Sequence, residues 1–202
     1  MQTSVHSCAD RERCGGRADA DAYRGGLRAN NESMISLDSV LNSWKTIRAD
    51  TAQAVEDFSG QPLDYKPAAD LMSFGDIAQH VLQAGHALTG LLLDGVDNMA
   101  TPEFRQMMGK YVAELPKTDT AAALARELRS QLATDTARLA AKPAGFFAGE
   151  ITRFDGQRVT RLEMLQGIKE HELTHRQQLF MYLRLKGIVP PTTRRRLAKA
   201  NA

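Results

Sequence analysis

Cysteine is scarce in this sequence and confined to one end of it. Of the 202 residues only Cys8 and Cys14 are cysteine, and the segment around them has no hydrophobic stretch of the kind found in a secretory signal. A secreted domain stabilised by disulfide bonds would carry cysteines throughout its core, so this class is excluded. We therefore expect a reducing, cytoplasmic location.

Long hydrophobic runs and an excess of one charge are also missing. The longest apolar candidate, residues 87–93, is interrupted by Thr89 and Gly90 and falls short of the roughly 18 residues that a membrane helix needs. Lysine and arginine number 26 against 24 aspartates and glutamates, a formal net charge of +2. Such a balance does not attract nucleic acid or anionic lipid, so we expect neither nucleic acid nor membrane as a partner.

Large hydrophobic residues are scarce over residues 1–33, where arginines are mixed with acidic residues and glycines. Such a segment buries too little apolar surface to offset the entropy of ordering, so it is predicted to be a disordered arm. A helical pattern begins at Met34, and our hypothesis is that Met34 is the true first residue of the natural chain. The intact mass of the native protein tests this hypothesis.

From residue 34 onward, apolar residues recur at intervals of three and four, the period of an amphipathic helix. Two segments begin with a capping box, formed by Ser73 with Asp76 and by Thr160 with Glu163. Gly187 is predicted to end the last helix. The predicted long helices cover residues 37–58, 73–95, 118–143 and 160–186, with a short helix over 102–108.

No convincing pair of strands is present, although a brief extended piece over 151–154 fits the pattern. Helices of about 20 residues are about 30 Å long, the dimension of a four-helix bundle. The chain is therefore predicted to be all-α, with a four-helix bundle over 34–191. The segment 192–202 is interpreted as a solvated basic tail. Its basic residues are Arg194, Arg195, Arg196 and Lys199.

Three of the five histidines lie on predicted core-facing seams of helices. His171 and His175 are four residues apart, so they differ by ~40° around the helix and project from one face. His80 has the matching position on the seam of the second helix. His86 lies ~240° around that helix from His80 and is predicted to face elsewhere.

Each buried imidazole needs partners for both ring nitrogens, and an unsatisfied polar group costs about 1–3 kcal/mol. One divalent cation can accept a nitrogen from each of three imidazoles, at about 2.0–2.1 Å for zinc. The pattern therefore favours a metal site formed by His80, His171 and His175. A hydrogen-bonded polar layer stays open as the alternative.

Residues 171–175 also fit the H-E-x-x-H pattern of zinc metalloproteases, in which the glutamate, here Glu172, acts as general base. Those enzymes usually take their third ligand from downstream, but residues 176–202 contain no histidine, aspartate or glutamate. This absence argues against a peptidase. Glu172 points ~100° away from His171 around the helix, so a solvated or outer carboxylate is the alternative to a catalytic one. Trp44 and Tyr182 are interpreted as core residues.

The segment 73–82 around His80 is followed about 90 residues later by His171-x-x-x-His175-Arg176-x-Gln178-Leu179. The motif continues as Tyr182-Leu183-Arg184-x-x-Gly187-x-x-x-Pro191. This pattern resembles the DinB/YfiT-like superfamily of metalloenzymes, and the resemblance covers residues 34–191. One departure is Gln177, where the family often has glycine, which puts local packing in doubt more than metal binding.

The resemblance implies a four-helix bundle in up-down-down-up order and a divalent metal, zinc or nickel, held by His80, His171 and His175. It also implies an S-transferase whose partners are a small-molecule thiol and an electrophilic substrate, with a homodimer left open. The predicted bundle has no cysteine, so a thiol reaction needs an external thiol. Glu172 and Arg176 are the candidate catalytic residues, and Arg176 and Gln178 are placed to orient a ligand or substrate.

Two other functions stay open at this point. Water bound to such a metal has a pKa near ~7, which would support a metal-dependent hydrolase. A non-catalytic metal-binding or stress-response bundle protein fits the same three histidines.

Overall fold

The structure is a computed structural model of the chain, and it describes residues 35–201. The predicted arm over 1–33 lies outside the described residues. The helices and strands in chain order are α1 (Leu37–Asp57), α2 (Phe74–Leu93), α3 (Phe104–Val112), α4 (Ala121–Ala140), α5 (Ala144–Ala148), β1 (Glu150–Thr152), β2 (Arg158–Thr160), α6 (Arg161–Leu185) and α7 (Pro191–Ala200).

Local signals in the sequence determine where two of the long helices begin. Ser73 caps α2 and Thr160 caps α6, and Asp76 or Glu163 completes a capping box in each case. The side chains of each box bond to backbone N–H groups that have no partner inside the helix. Both capping boxes confirm the sequence prediction.

The end of α6 is also the predicted one. Gly187 has a φ of 72°, in the left-handed region that favours glycine. The N–H of Ile188 donates to the carbonyl of Leu183, which closes a Schellman motif and stops the helix. At the start of α4 the structure differs slightly, because the capping residue is Thr120, whereas the sequence predicted a start at Thr118 or Asp119.

The four long helices form a bundle in up-down-down-up order. One hydrophobic cluster contains the end of α1, the start of α2, the start of α4 and the end of α6. A second cluster contains the opposite four helix ends. Helices α2 and α4 therefore run in the opposite sense to α1 and α6. Because α1 and α2 each pack against both α4 and α6, α1 and α2 occupy opposite corners of the bundle.

Between the two hydrophobic clusters the interior carries charged and polar side chains. Arg48 of α1 and Glu172 of α6 are only 3% and 2% exposed. On the seam between α2 and α6, the three histidines predicted as ligands are partly buried. Polar groups taken out of water require partners, so this middle layer of the bundle is where the fold positions a functional site.

A short antiparallel hairpin interrupts the helical chain, and here the prediction of no strand pair is wrong. Strand β1 pairs with β2, with Ile151 opposite Val159. Ile151 is buried in the second hydrophobic cluster. Each strand has three residues, too few to show the alternation of polar and apolar residues by which a strand is recognised.

The C-terminal segment, interpreted as a solvated basic tail, is exposed over most of its length and is helical. It forms helix α7, which packs on α1. Arg194 contacts Asp57 at 2.9 Å, and Arg195 contacts the buried carboxylate of Asp50 at 2.7 Å. A run of arginines gives no sign in the sequence of which acidic side chains will lie opposite, so these ion pairs could not be predicted.

None of the helices within residues 35–201 combines the length and the apolar character required to span a bilayer.

Candidate metal centre

Three imidazole rings meet where α2 packs against α6. His80 lies near the start of α2, and His171 and His175 are one turn apart in α6. The Nε2 atom of His171 is 3.1 Å from Nε2 of His80 and 3.1 Å from Nε2 of His175. One nitrogen from each ring lies within 4.8 Å of the other two. The structure thus brings together all three residues predicted as metal ligands.

The three rings meet edge to face, with none stacked on another. The angles between their planes are 72°, 83° and 77°, with centroids 5.0, 4.8 and 4.5 Å apart. Two nitrogens bound to one zinc at about 2.0–2.1 Å lie about 2.9 Å apart at a right angle and about 3.4 Å apart in a tetrahedron. The two observed separations of 3.1 Å fall between these values. These two separations are therefore compatible with the binding of one divalent cation.

Hydrogen bonds alone do not satisfy this arrangement. A neutral imidazole nitrogen holds either a hydrogen or a lone pair, and one hydrogen on Nε2 of His171 makes a full hydrogen bond to only one of its two neighbours. Burial, followed by the neighbouring His175 and His80, lowers the pKa of His171 to about 4. Burial and His175 also lower the pKa of His80. Both rings are therefore neutral near pH 7 and have lone pairs for a cation.

A further side chain contacts the group from outside. The Oε1 atom of Gln178 is 2.7 Å from Nδ1 of His175, one helical turn away. An amide oxygen only accepts, so the ring nitrogen carries the hydrogen and donates it. Gln178 therefore contacts one of the three candidate ligands, and its predicted role in orienting a ligand stays a prediction.

Comparisons with known proteins show the family to which the chain belongs. A family model described as the DinB family matches residues 30–201. The chain belongs to the DinB family. YjoA of Bacillus subtilis (strain 168), a protein named as uncharacterized, is 24% identical over 159 residues, which cover 76% of this chain and 93% of YjoA.

The crystal structure of YjoA, described as a DinB-like protein and determined at 2.30 Å resolution, has a TM-score of 0.57 to this chain. The match has 24% sequence identity and covers 73% of this chain and 91% of YjoA. At this identity the likeness shows the fold, and it confirms the predicted DinB-like bundle.

In this DinB bundle the carboxylate of Glu172 points into the core. It accepts a hydrogen bond from Nε1 of Trp44 at 2.6 Å and two from the guanidinium of Arg48, at 2.7 and 2.8 Å. Arg48 donates in addition to the carbonyl of Leu128 in α4. The cluster thus links α1, α4 and α6 directly beside His171. The prediction of a catalytic role for Glu172 stays a prediction, and Trp44 is a core residue as expected.

Arg176, the other candidate catalytic residue, lies beside α1. Its guanidinium is 3.5 Å from Asp50 and sits 5.3 Å from the ring centroid of Phe180. Its Nε is buried without a hydrogen-bond partner. Burial lowers the pKa of Arg176, and Asp50 acts against that shift. A catalytic role for Arg176 likewise stays a prediction.

His86 faces away from the three-histidine group, as predicted, and forms a separate polar contact with α4. Its Nδ1 lies 3.3 Å from the buried carboxylate of Asp135 and 2.7 Å from the amide of Gln131. The hydrogen bond to Asp135 raises the pKa of His86, against the effect of burial, and Glu114 adds to the rise. Sequence reasoning missed this pair because its members are far apart in the chain and no local period links them.

Proposed function

We propose that the protein is a divalent-metal-dependent S-transferase that joins a low-molecular-weight thiol to an electrophilic substrate. The observation that carries this proposal is the convergence of three histidine nitrogens in a group that, within residues 35–201, includes no cysteine and no carboxylate. Three protein ligands leave a coordination position open, which is typical of catalytic rather than structural metal sites. Imidazole nitrogen suits both zinc and nickel, the two metals we propose.

A divalent cation held by His80, His171 and His175 would act as a Lewis acid that lowers the pKa of a coordinated thiol. The chain itself contributes three uncharged ligands, so the positive charge of the site is not cancelled by the protein. Two carboxylates flank His171 in the sequence. That of Glu172 is paired with Arg48, and that of the exposed Glu170 accepts a hydrogen bond from Gln166. Such a site favours an anionic sulfur ligand.

The nucleophile of the proposed reaction is a small-molecule thiol, because the bundle over residues 35–201 contains no cysteine that could take this role. The thiol loses its proton to solvent, its sulfur forms a bond to the electrophilic carbon, and the leaving group departs with the bonding electron pair. A reducing, cytoplasmic location, where small thiols persist, is part of this proposal.

The activity is tested with purified full-length protein, a set of small thiols and a model electrophile. We expect conjugation that is lost after treatment with a chelator and is restored by zinc or nickel. Hydrolysis of an ester substrate without any thiol would replace the transferase by a hydrolase. Bound metal with no turnover of either kind would indicate a non-catalytic metal-binding protein.

The ligand assignment is tested by metal analysis of the wild type beside His80→Ala and His175→Ala. His86→Ala is the matched control, because it removes a histidine of the same helix that lies outside the group. We expect metal in the wild type and in the control, and a loss in the two ligand variants. Equal metal content in all four proteins would contradict the assignment.

A further inference from the structure

We infer that Gln178 is a positioning residue that fixes the tautomer of His175 and so prepares its Nε2 for the metal. The inference rests on the metal centre of the proposed function but concerns a residue that touches neither the metal nor the substrate.

The first step is the position of the hydrogen. Oε1 of Gln178 lies 2.7 Å from Nδ1 of His175, and an oxygen without a hydrogen holds the ring in the form protonated at Nδ1. A neutral ring has a single N–H, so Nε2 keeps its lone pair. That Nε2 is the atom that lies 3.1 Å from His171 within the group.

The second step is that Gln178 has no counterpart at the other two ligands. Within the described residues, Nδ1 of His80 and Nδ1 of His171 make no hydrogen bond to a protein group, and each of these rings contacts the group through Nε2. A metal-binding imidazole normally donates its other N–H to an oxygen, which orients the ring and raises its basicity. Gln178 is the side chain that performs this task here.

The third step concerns charge. The usual outer partner in such sites is a carboxylate or a backbone carbonyl, whereas Gln178 has an uncharged acceptor. An amide orients His175 without adding a negative charge near the metal. The open position then keeps its preference for an anionic ligand such as a thiolate.

The chain provides a matched control for this inference. Gln177 is the neighbouring residue on the same helix, is exposed like Gln178, and makes no hydrogen bond to the histidines. Gln178→Leu removes the acceptor at similar size, Gln178→Glu retains it, and Gln177→Leu removes an amide that does not contact the site.

The first measurement is the affinity of the metal-free full-length protein for Zn²⁺, by competition with a chromogenic chelator. We expect Gln178→Leu to bind Zn²⁺ about 10-fold or more weakly, in the range that loss of an outer partner usually causes. Gln178→Glu and Gln177→Leu should retain at least roughly one third of the wild-type affinity for Zn²⁺. Wild-type affinity in Gln178→Leu, or an equal loss in Gln177→Leu, would overturn the inference.

The second measurement is the tautomer of His175 in the metal-free protein, from the ¹⁵N shifts of its ring. We expect the Nδ1–H form in the wild type and a shift toward the Nε2–H form in Gln178→Leu. An Nε2–H ring in the wild type overturns the inference even if zinc binds. If the wild type binds no metal while the ring is held as Nδ1–H, the proposed function fails and the positioning of His175 by Gln178 stands.

Discussion

His86 and the three-histidine group of this bundle differ in what lies beside the imidazole. His86 is held against the buried carboxylate of Asp135, and its pKa is raised. His171 is partly buried and has two other imidazoles beside it, and burial followed by these neighbours lowers its pKa to about 4. The same residue type is therefore favoured as a cation in one place and as a ligand for a cation in the other. The neighbouring side chains, rather than the histidines themselves, decide between these roles.

The difference depends on a carboxylate that is kept out of the three-histidine group. Glu172 follows His171 in the chain, yet its oxygens accept hydrogen bonds from Trp44 and Arg48 on the other side of α6. The charge of Glu172 still acts against the lowering of the His171 pKa, but burial and the two neighbouring imidazoles outweigh it. The buried cluster thus keeps the two groups of histidines different.

Breaking this cluster is expected to have the largest effect. Arg48→Met leaves the carboxylate of Glu172 buried without its cation, and the loss of one partner of a buried pair costs about 3–5 kcal/mol. The free energy of unfolding, measured with urea, should fall by that amount. The pKa of His171 should rise, because the unpaired charge of Glu172 favours the protonated ring.

The control for this prediction is the double variant Arg48→Met with Glu172→Gln. It removes both charges and keeps an oxygen as acceptor for Trp44, so it should be more stable than Arg48→Met alone. A single variant that loses less than about 1 kcal/mol would show that the ion pair contributes little to the bundle.

A second prediction separates the two groups of histidines by their response to the same change. His171→Ala should lower Zn²⁺ affinity by more than the roughly 10–100-fold that loss of an outer partner causes, because it removes the central ligand. His86→Ala should leave the affinity unchanged and should destabilise the metal-free protein by about 1–3 kcal/mol, since the buried Asp135 loses one of its partners and keeps Gln131 and Arg138. The measurements are a chelator competition and urea unfolding of both variants. Similar losses of affinity in the two variants would remove the distinction.

The third prediction concerns pH, where the two groups should act in opposite directions. The pKa of folded His86 lies above the value of about 6.5 in an unfolded chain. The stabilisation from its protonated form is therefore complete below about pH 6.5 and is lost as the pH rises through the folded pKa. The groups that face His86 are Asp135 and Glu114, with the ring of Tyr111 against it. A hydrogen bond to a charged group contributes about 1.5–3 kcal/mol, which limits the change.

For the three-histidine group, stability should change with pH in the opposite direction. His171 titrates near pH 4 in the folded chain and near ~6.5 in the unfolded one. The unfolded state binds more protons in this window, so the stability of the metal-free protein should fall as the pH is lowered through it. The free energy of unfolding, measured with urea from pH 4 to 8, checks the direction of both changes in stability. The variant His86→Gln should no longer lose stability as the pH rises above about 6.5, but should still lose stability as the pH falls toward 4. If the loss of stability at high pH persists in this variant, His86 is not its source.

Much of the fold and part of the site could be predicted from the sequence because the signals are local. The capping boxes at Ser73 and Thr160 depend on residues three positions apart, and the shared face of His171 and His175 depends on the helical period. The match of His80 to the same layer also required that α2 runs antiparallel to α6, which is what the family resemblance implied.

The remaining features depend on residues that are distant in the sequence. Glu172 and Arg48 are 124 residues apart, and His86 and Asp135 are 49 apart. Neither spacing has a period that a single sequence reveals. The hairpin could not be predicted because its strands are too short to show alternation of polar and apolar residues. The contacts of α7 could not be predicted because its arginines pair with acidic residues of α1 that are distant in the sequence.

The sequence by itself determined the four long helices and placed His80, His171 and His175 on their core-facing seams, because these features follow from the spacing of residues along each helix. The order of the helices in the bundle was what the family resemblance implied. Only the tertiary structure decided the protonation preference of each histidine. That preference depends on burial and on charges brought near by other helices, and electrostatic energy depends on distance in space rather than on position in the chain.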